Sequence, residues 1–313
     1  MNGRINRRIW MAGIGAGLVA AGPTGTSPRP ALGGGRSARF RYALNTSTLM
    51  GHKLPLDEEL RLIAQAGYDG VEVWVREIDA YQEAGGSVDD LGKLARDLGL
   101  HIAGAIAFAE WIVDDDAKRH SGLERARREM DLVRRIGGAH IAAPASGATD
   151  VEGMDPRVIA ERYRALLKIG REQGVLPSLE VWGFSKTLGN LADVACVAVA
   201  CGEPDATILP DVYHLYKGGS PPRGLRMLNG KAIPAIHMND YPAEPPRERI
   251  DDSHRIYPGD GIAPIGEILE DLEAVGFEGF LSLELFNRDY WKRPAEEVLR
   301  TGLAKMKAVA ERA

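Results

Sequence analysis

From residue 40 onward, short apolar, β-branched runs alternate with longer amphipathic stretches, the pattern of a parallel sheet whose strands are joined by crossover helices. The runs fall at 40–45, 70–75, 101–108, 139–144, 176–182, 207–212, 233–239 and 280–286. Helical spacing follows each of them. Leu60, Ile63 and Ala64 repeat on one face of a helix over 56–66 that Gly67 ends, and further helices are predicted at 87–98, 122–136, 156–173, 188–200, 222–228, 265–275 and 295–310. Ser87 is a candidate N-cap, and Pro156 stands in a first turn, where its missing N–H costs nothing. Eight βα units in this order predict a single closed (β/α)8 TIM barrel rather than an open doubly wound sheet, and no phosphate-cradling glycine loop or dinucleotide fingerprint follows the first strand.

Residues 1–39 break the pattern. Arg4, Arg7 and Arg8 precede an apolar stretch over 9–21, diluted by Gly13, Gly15 and Gly17 and followed by Ala20-Ala21-Gly22-Pro23. A basic start, a short apolar segment and small residues make an export signal too short to span a bilayer. The pair Arg7-Arg8 before Ile9-Trp10-Met11 resembles a twin-arginine signal, which predicts a periplasmic protein; a basic tail on a cytoplasmic protein is the alternative. Gly, Pro, Ser and Arg dominate 23–39, a linker, so the barrel is expected over 40–313. Across 313 residues, 44% hydrophobic and 27% charged residues support a large core, and the net charge of −5 gives no footprint for nucleic acid. Cys196 and Cys201, five apart, do not share a helix face, and both are expected to pack rather than pair.

Glu180, Asp211, His237 and Glu284 each lie at the carboxyl end of one of the last four apolar runs, 31, 26 and 47 residues apart. Such intervals form no local motif, yet successive strand ends of a parallel barrel meet at one mouth. Any one of the acids has a bland role open to it, as a helix cap or a surface ion-pair partner; four in succession point to a metal centre. Three carboxylates and an imidazole suit one divalent ion, Mn²⁺, Mg²⁺ or Co²⁺, with Zn²⁺ also compatible.

The segments Ala66-Gly67-Tyr68-Asp69-Gly70-Val71-Glu72-Val73, Ser178-Leu179-Glu180-Val181, Asp211-Val212-Tyr213-His214, His237-Met238-Asn239-Asp240, Arg255-Ile256-Tyr257-Pro258-Gly259-Asp260-Gly261 and Ser282-Leu283-Glu284-Leu285-Phe286 follow one another along the chain. Their order and spacing resemble the xylose-isomerase-like barrels, the sugar phosphate isomerase/epimerase family, and within it the inosose (2-keto-myo-inositol) isomerase type. The resemblance implies that Glu180, Asp211, His237 and Glu284 hold the metal and that His214 and Arg255 reach substrate oxygens. One departure is His254, standing before Arg255 where related isomerases often carry an acid; Asp251 and Asp252 lie a little upstream.

The chemistry expected is proton transfer beside a ketone, with a metal-stabilised enediolate and with Glu180 and Glu284 as base and acid in an order left open. Trp182, on the Glu180 face of its strand, either walls the pocket or packs in the core, and Asn45 and Glu72 are candidate substrate contacts or barrel-interior groups. Lys186 and Lys217 are weaker candidates as pocket cations. Tyr290 and Trp291 either roof the pocket or pack at a subunit contact of a homo-oligomer. A small keto sugar or keto polyol is the expected partner, isomerised or epimerised. The competing readings are a dehydratase or lyase using the same enediolate on dehydroshikimate, an inosose or an oxidised glycoside, and a non-catalytic exported sugar-binding protein.

Overall fold

The computed structural model describes residues 40–313; the leader and linker expected over 1–39 lie outside the described residues. Eight parallel strands run β1 Arg41–Asn45, β2 Gly70–Trp74, β3 His101–Ile106, β4 His140–Ala143, β5 Leu176–Glu180, β6 Thr207–Leu209, β7 Ala235–Met238 and β8 Phe280–Leu283. They form two arcs, β3-β2-β1-β8-β7 and β4-β5-β6. One junction is bridged by Asp211 and His237, with the His237 N–H donating to the Pro210 carbonyl at 2.9 Å, and at the other β4 lies beside β3. The strands thus follow chain order around a TIM barrel.

Helices cover the outside: α1 Leu56–Ala66, α2 Val75–Glu83, α3 Val88–Asp97, α4 Asp116–Ile136, α5 Pro156–Gln173, α6 Leu191–Cys201, α7 Val212–Lys217, α8 Ile265–Ala274 and α9 Ala295–Arg312. Capping follows local chemistry. Ser87 Oγ accepts from the Asp90 N–H at the start of α3, and Gly67 takes φ 92° at the end of α1, where a side chain would be strained. The main core lies between the outward strand residues, such as Leu44, Val71, Leu179, Ile236 and Leu281, and the inner helix faces, including Ile63, Met130, Tyr163, Leu269 and Met306. None of the described helices is long and apolar enough to cross a membrane.

Strand periodicity positions the site. Inward positions recur every two residues, so β1 points Ala43 then Asn45 inward, β7 points Ala235 then His237, and β8 points Phe280 then Ser282. A small apolar cluster of Ala43, Ala103, Ala142, Leu209, Ala235 and Phe280 fills the amino-terminal end of the barrel. The next inward positions are polar: β1 and β2 pair Asn45 with Glu72, and β7 and β8 pair His237 with Ser282.

Three expectations need correction. The second βα unit contains an additional helix, α2, which follows its strand directly, and α7 begins within the run read as strand to 212, with Pro210 and Asp211 between it and β6. The short helix expected near 222–228 is present as a 3-10 helix, Pro222–Met227. Cys201 is buried, whereas Cys196 faces solvent on α6 and packs against nothing central.

Candidate metal centre

Glu180 ends β5, Asp211 follows β6, His237 lies within β7 and Glu284 follows β8, and all four are at most 4% exposed. One ligand-type atom each from Asp211, His237 and Glu284 lies within 4.8 Å of the others. His237 Nδ1 is 3.1 Å from Glu284 Oε2, 3.4 Å from Asp211 Oδ2 and 3.9 Å from Glu180 Oε1. Asp211 also plays the bland role, since its Oδ1 accepts from the His214 N–H as the N-cap of α7.

The groups around this cluster are held from several strands. Glu72 Oε2 lies 2.9 Å from His237 Nε2 and accepts from Ser282 Oγ at 2.9 Å and Asn45 Nδ2 at 3.0 Å. Asn45 also donates to Glu284 Oε1 at 3.1 Å and accepts from the Trp74 indole. Asn239, two residues beyond His237, accepts from the Tyr213 N–H and directs its amide at both Asp211 oxygens. Ser282 and Asn239 were not singled out in the sequence, although both stand two residues from a candidate ligand on its inward face.

Arg255 is brought fully inside. Nη1 donates to Asp211 Oδ2 at 2.8 Å and Glu284 Oε2 at 2.6 Å, while Nη2 donates to Asp252 and lies 3.0 Å from His214 Nε2. The guanidinium sits between the rings of Tyr213, at 4.7 Å, and Phe286, at 5.1 Å. Asp252 thus supplies an acidic partner to Arg255 although His254 is the preceding residue. The Asp240 carboxylate fixes the same loop by accepting from the N–H groups of Tyr241, Gly259, Gly261 and Ala263. Gly261 has no room for a side chain, because a Cβ would stand 2.2 Å from the Tyr241 carbonyl oxygen.

Trp182 is half-buried beside Phe108, with ring centroids 5.8 Å apart. Lys217 donates to the carbonyls of Arg247, Glu248 and Ile250, and Lys186 pairs with Glu152 at the surface, so neither ammonium is directed at the centre. Tyr290 stacks on Tyr257, and the Trp291 indole donates to the Thr48 carbonyl.

Electrostatics decide what this cluster accepts. Four buried carboxylates, Glu72, Glu180, Asp211 and Glu284, surround one guanidinium and one imidazole. Burial and the negative charges of Glu284 and Asp211 push Glu180 up to about 8, against the opposing pull of His237 and Trp182. Burial disfavours a charged His237, but Glu284 and Glu72 outweigh it and hold its pKa well above the usual range. Asp211, although buried, is held well down, with Arg255 the leading cause. Burial drives His214 down to about 4, so its ring is neutral near pH 7 and accepts from Arg255. The surplus anionic charge draws protons onto Glu180 and His237, and a divalent cation relieves the same surplus. Glu180 Oε2 and both His237 ring nitrogens form no aligned hydrogen bond, and the donors are hard oxygens plus an imidazole. These residues fit a divalent metal.

Fold and centre together define an α/β barrel carrying a buried, carboxylate-rich cluster able to hold a divalent metal at its mouth. The chain belongs to the xylose isomerase-like TIM barrel family, which it matches over residues 60–309. It is 27% identical over 258 residues to the 3-dehydroshikimate dehydratase of Pseudomonas aeruginosa, covering 82% of this chain and 40% of that protein. It is 26% identical over 263 residues to the inosose isomerase of Bacillus velezensis, covering 82% of this chain and 92% of that protein. The chain therefore spans less than half the length of the dehydratases it matches. The structure of the IolI protein with a bound zinc atom has a TM-score of 0.79 at 21% identity, covering 87% of this chain and 99% of that one, which shows the common fold. Its relatives are isomerases, epimerases and dehydratases.

Proposed function

We propose that this protein is a divalent-metal-dependent isomerase or epimerase of a keto sugar or keto polyol of the inosose kind. The observation that carries this reading is the approach of Glu180 and Glu284 to the same imidazole, Nδ1 of His237, from β5 and β8 in a buried pocket. Glu180, Asp211, His237 and Glu284 would hold the metal, which when bound supplies the Lewis acidity that makes a carbon beside a ketone acidic. Glu180 is the less restrained of the two glutamates, since its Oε2 has no partner, whereas Glu284 is held by Asn45 and Arg255. Glu180 is thus free to take a proton from carbon; Glu284, once Arg255 turns to a substrate oxygen and the carboxylate has taken a proton from solvent, would return that proton on the other side, and Glu180 would release its own to solvent. Neutral His214 and the Arg255 guanidinium are suited to orient hydroxyl and carbonyl oxygens of the ring.

Likeness to the dehydratases favours a second reading, elimination of a group one carbon further along after the same proton abstraction. Proton NMR in deuterium oxide, with an inosose, a ketohexose and dehydroshikimate as substrates, tests the two. Deuterium at the carbon beside the ketone with an isomeric product supports the first reading; loss of water or of an aglycone selects the second. Absence of both exchange and product with every substrate refutes both. We also propose that the Arg7-Arg8 leader directs the protein to the periplasm.

A further inference from the structure

Asn45 ends β1, the strand that pairs with β2 on one side and β8 on the other. Register sets it beside Glu72, and the pairing of Leu44 with Leu283 brings Glu284, the next residue along, to its other side. The Asn45 amide stands between these two carboxylates with all of its hydrogen-bonding capacity used. Oδ1 accepts from the Trp74 indole N–H at 2.9 Å and the Ser47 N–H at 3.0 Å, and Nδ2 donates to Glu72 Oε2 at 3.0 Å and Glu284 Oε1 at 3.1 Å. Turned over, the amide would set its oxygen against two carboxylates and its hydrogens against two donors, so this orientation is the only satisfied one. The indole that secures it is itself packed, with ring centroids 5.2 Å from Phe108 and 6.1 Å from Phe286.

Capping explains only half of this side chain. Oδ1 caps the 3-10 helix Thr46–His52 through the Ser47 N–H, a task that serine or aspartate performs as well. Of the capping residues, asparagine alone brings two hydrogens on one atom, and here they meet the two carboxylates that flank the His237 ring. Glu72 Oε2 lies 2.9 Å from Nε2 of that ring, and Glu284 Oε2 lies 3.1 Å from Nδ1. With Oε1 tied to Asn45, Glu284 is left with Oε2 directed at the imidazole and at Arg255. The amide keeps no hydrogen for a substrate hydroxyl, the other role open to Asn45 from the sequence.

We propose that Asn45 is a positioning residue: it spaces Glu72 and Glu284 about His237 and commits a single oxygen of Glu284, Oε2, to the divalent ion. This deepens the function proposed above and rests on its assignment of Glu284 as a metal ligand. The test needs no turnover. Asn45→Ser keeps a cap oxygen and removes the amide; Trp74→Phe keeps an aromatic ring and removes the N–H that secures the amide. Mn²⁺ affinity of the full chain is measured against a competing chelator, and the visible spectrum of bound Co²⁺ reports the arrangement of its ligands. Asn45→Ser should bind Mn²⁺ about 10-fold more weakly and shift the Co²⁺ spectrum, and Trp74→Phe should move both the same way by less. Unchanged affinity in folded Asn45→Ser overturns the proposal, as does a loss of affinity with an unmoved spectrum, which marks general loosening of the barrel. Should Asn45→Ser fail to fold, Trp74→Phe decides: unchanged affinity or an unmoved spectrum there overturns the proposal. Unmodified protein that binds neither ion refutes the metal reading together with the positioning role, whereas normal binding by both variants refutes the positioning role alone.

Discussion

Glu72 Oε2 stands 2.9 Å from Nε2 of His237, on the side of the imidazole away from the nitrogen that faces Asp211 and Glu284. A carboxylate this close behind a candidate metal-binding histidine raises the ring's basicity. Glu72 itself is held by Ser282 and Asn45; burial opposes its charge, yet His237 and these hydrogen bonds pull its pKa below the ordinary value. Glu72→Gln should therefore leave the barrel folded and weaken divalent-metal affinity about 10–100-fold. Titration with Mn²⁺ or Zn²⁺ against a competing chelator measures this.

Arg255 is 1% exposed and joined to Asp211, Glu284 and Asp252. Its removal leaves buried carboxylates facing one another without their cation, so Arg255→Ala should cost roughly 3–5 kcal/mol in metal-free protein. Saturating metal should recover part of that loss, because it binds the folded state and offsets the same charges. Urea denaturation with and without metal checks both parts.

Much of this centre was legible in the sequence because strand geometry is regular. A residue at the carboxyl end of an apolar run has few places to go in a parallel barrel, and Glu180, Asp211, His237 and Glu284 meet as strand order requires. Less legible were contacts made across the barrel. Asn45 and Glu284 are 239 residues apart, and no local pattern announces that the amide joins Glu284 to Glu72. The α2 helix was hidden because it buries only Val75 and Ile78, too few positions for a helical period to show. The α7 helix was hidden because its cap, Asp211, is also a candidate ligand at the end of the run.

Glu59 on α1 gives a pH dependence separate from the centre. Burial, followed by the charges of Glu77 and Glu58, pushes its pKa up to about 9, and its Oε2 has no hydrogen-bond partner. Between the unfolded carboxyl value of about 4.3 and that raised value, the folded protein holds a proton that the unfolded chain has lost. Stability from this group is therefore complete below the lower value and falls as pH rises, by at most about 1.4 kcal/mol per pH unit. Glu59→Gln should flatten that decline, read as a denaturation midpoint changing less between about pH 6 and about pH 8 than in the unmodified protein.

Export is tested by cell fractionation. The full chain should appear in the periplasm, and Arg7→Lys with Arg8→Lys should strand it in the cytoplasm, since a twin-arginine signal is read through that pair. Unchanged distribution of the double variant would rule out this route.

Metal content of the purified full chain tests the central claim most directly. Elemental analysis should find one divalent ion per chain in the unmodified protein, and none in a folded variant combining Glu180→Gln, Asp211→Asn and His237→Ala. Retention of the same stoichiometry by that folded variant would show that the metal lies elsewhere and would contradict the account.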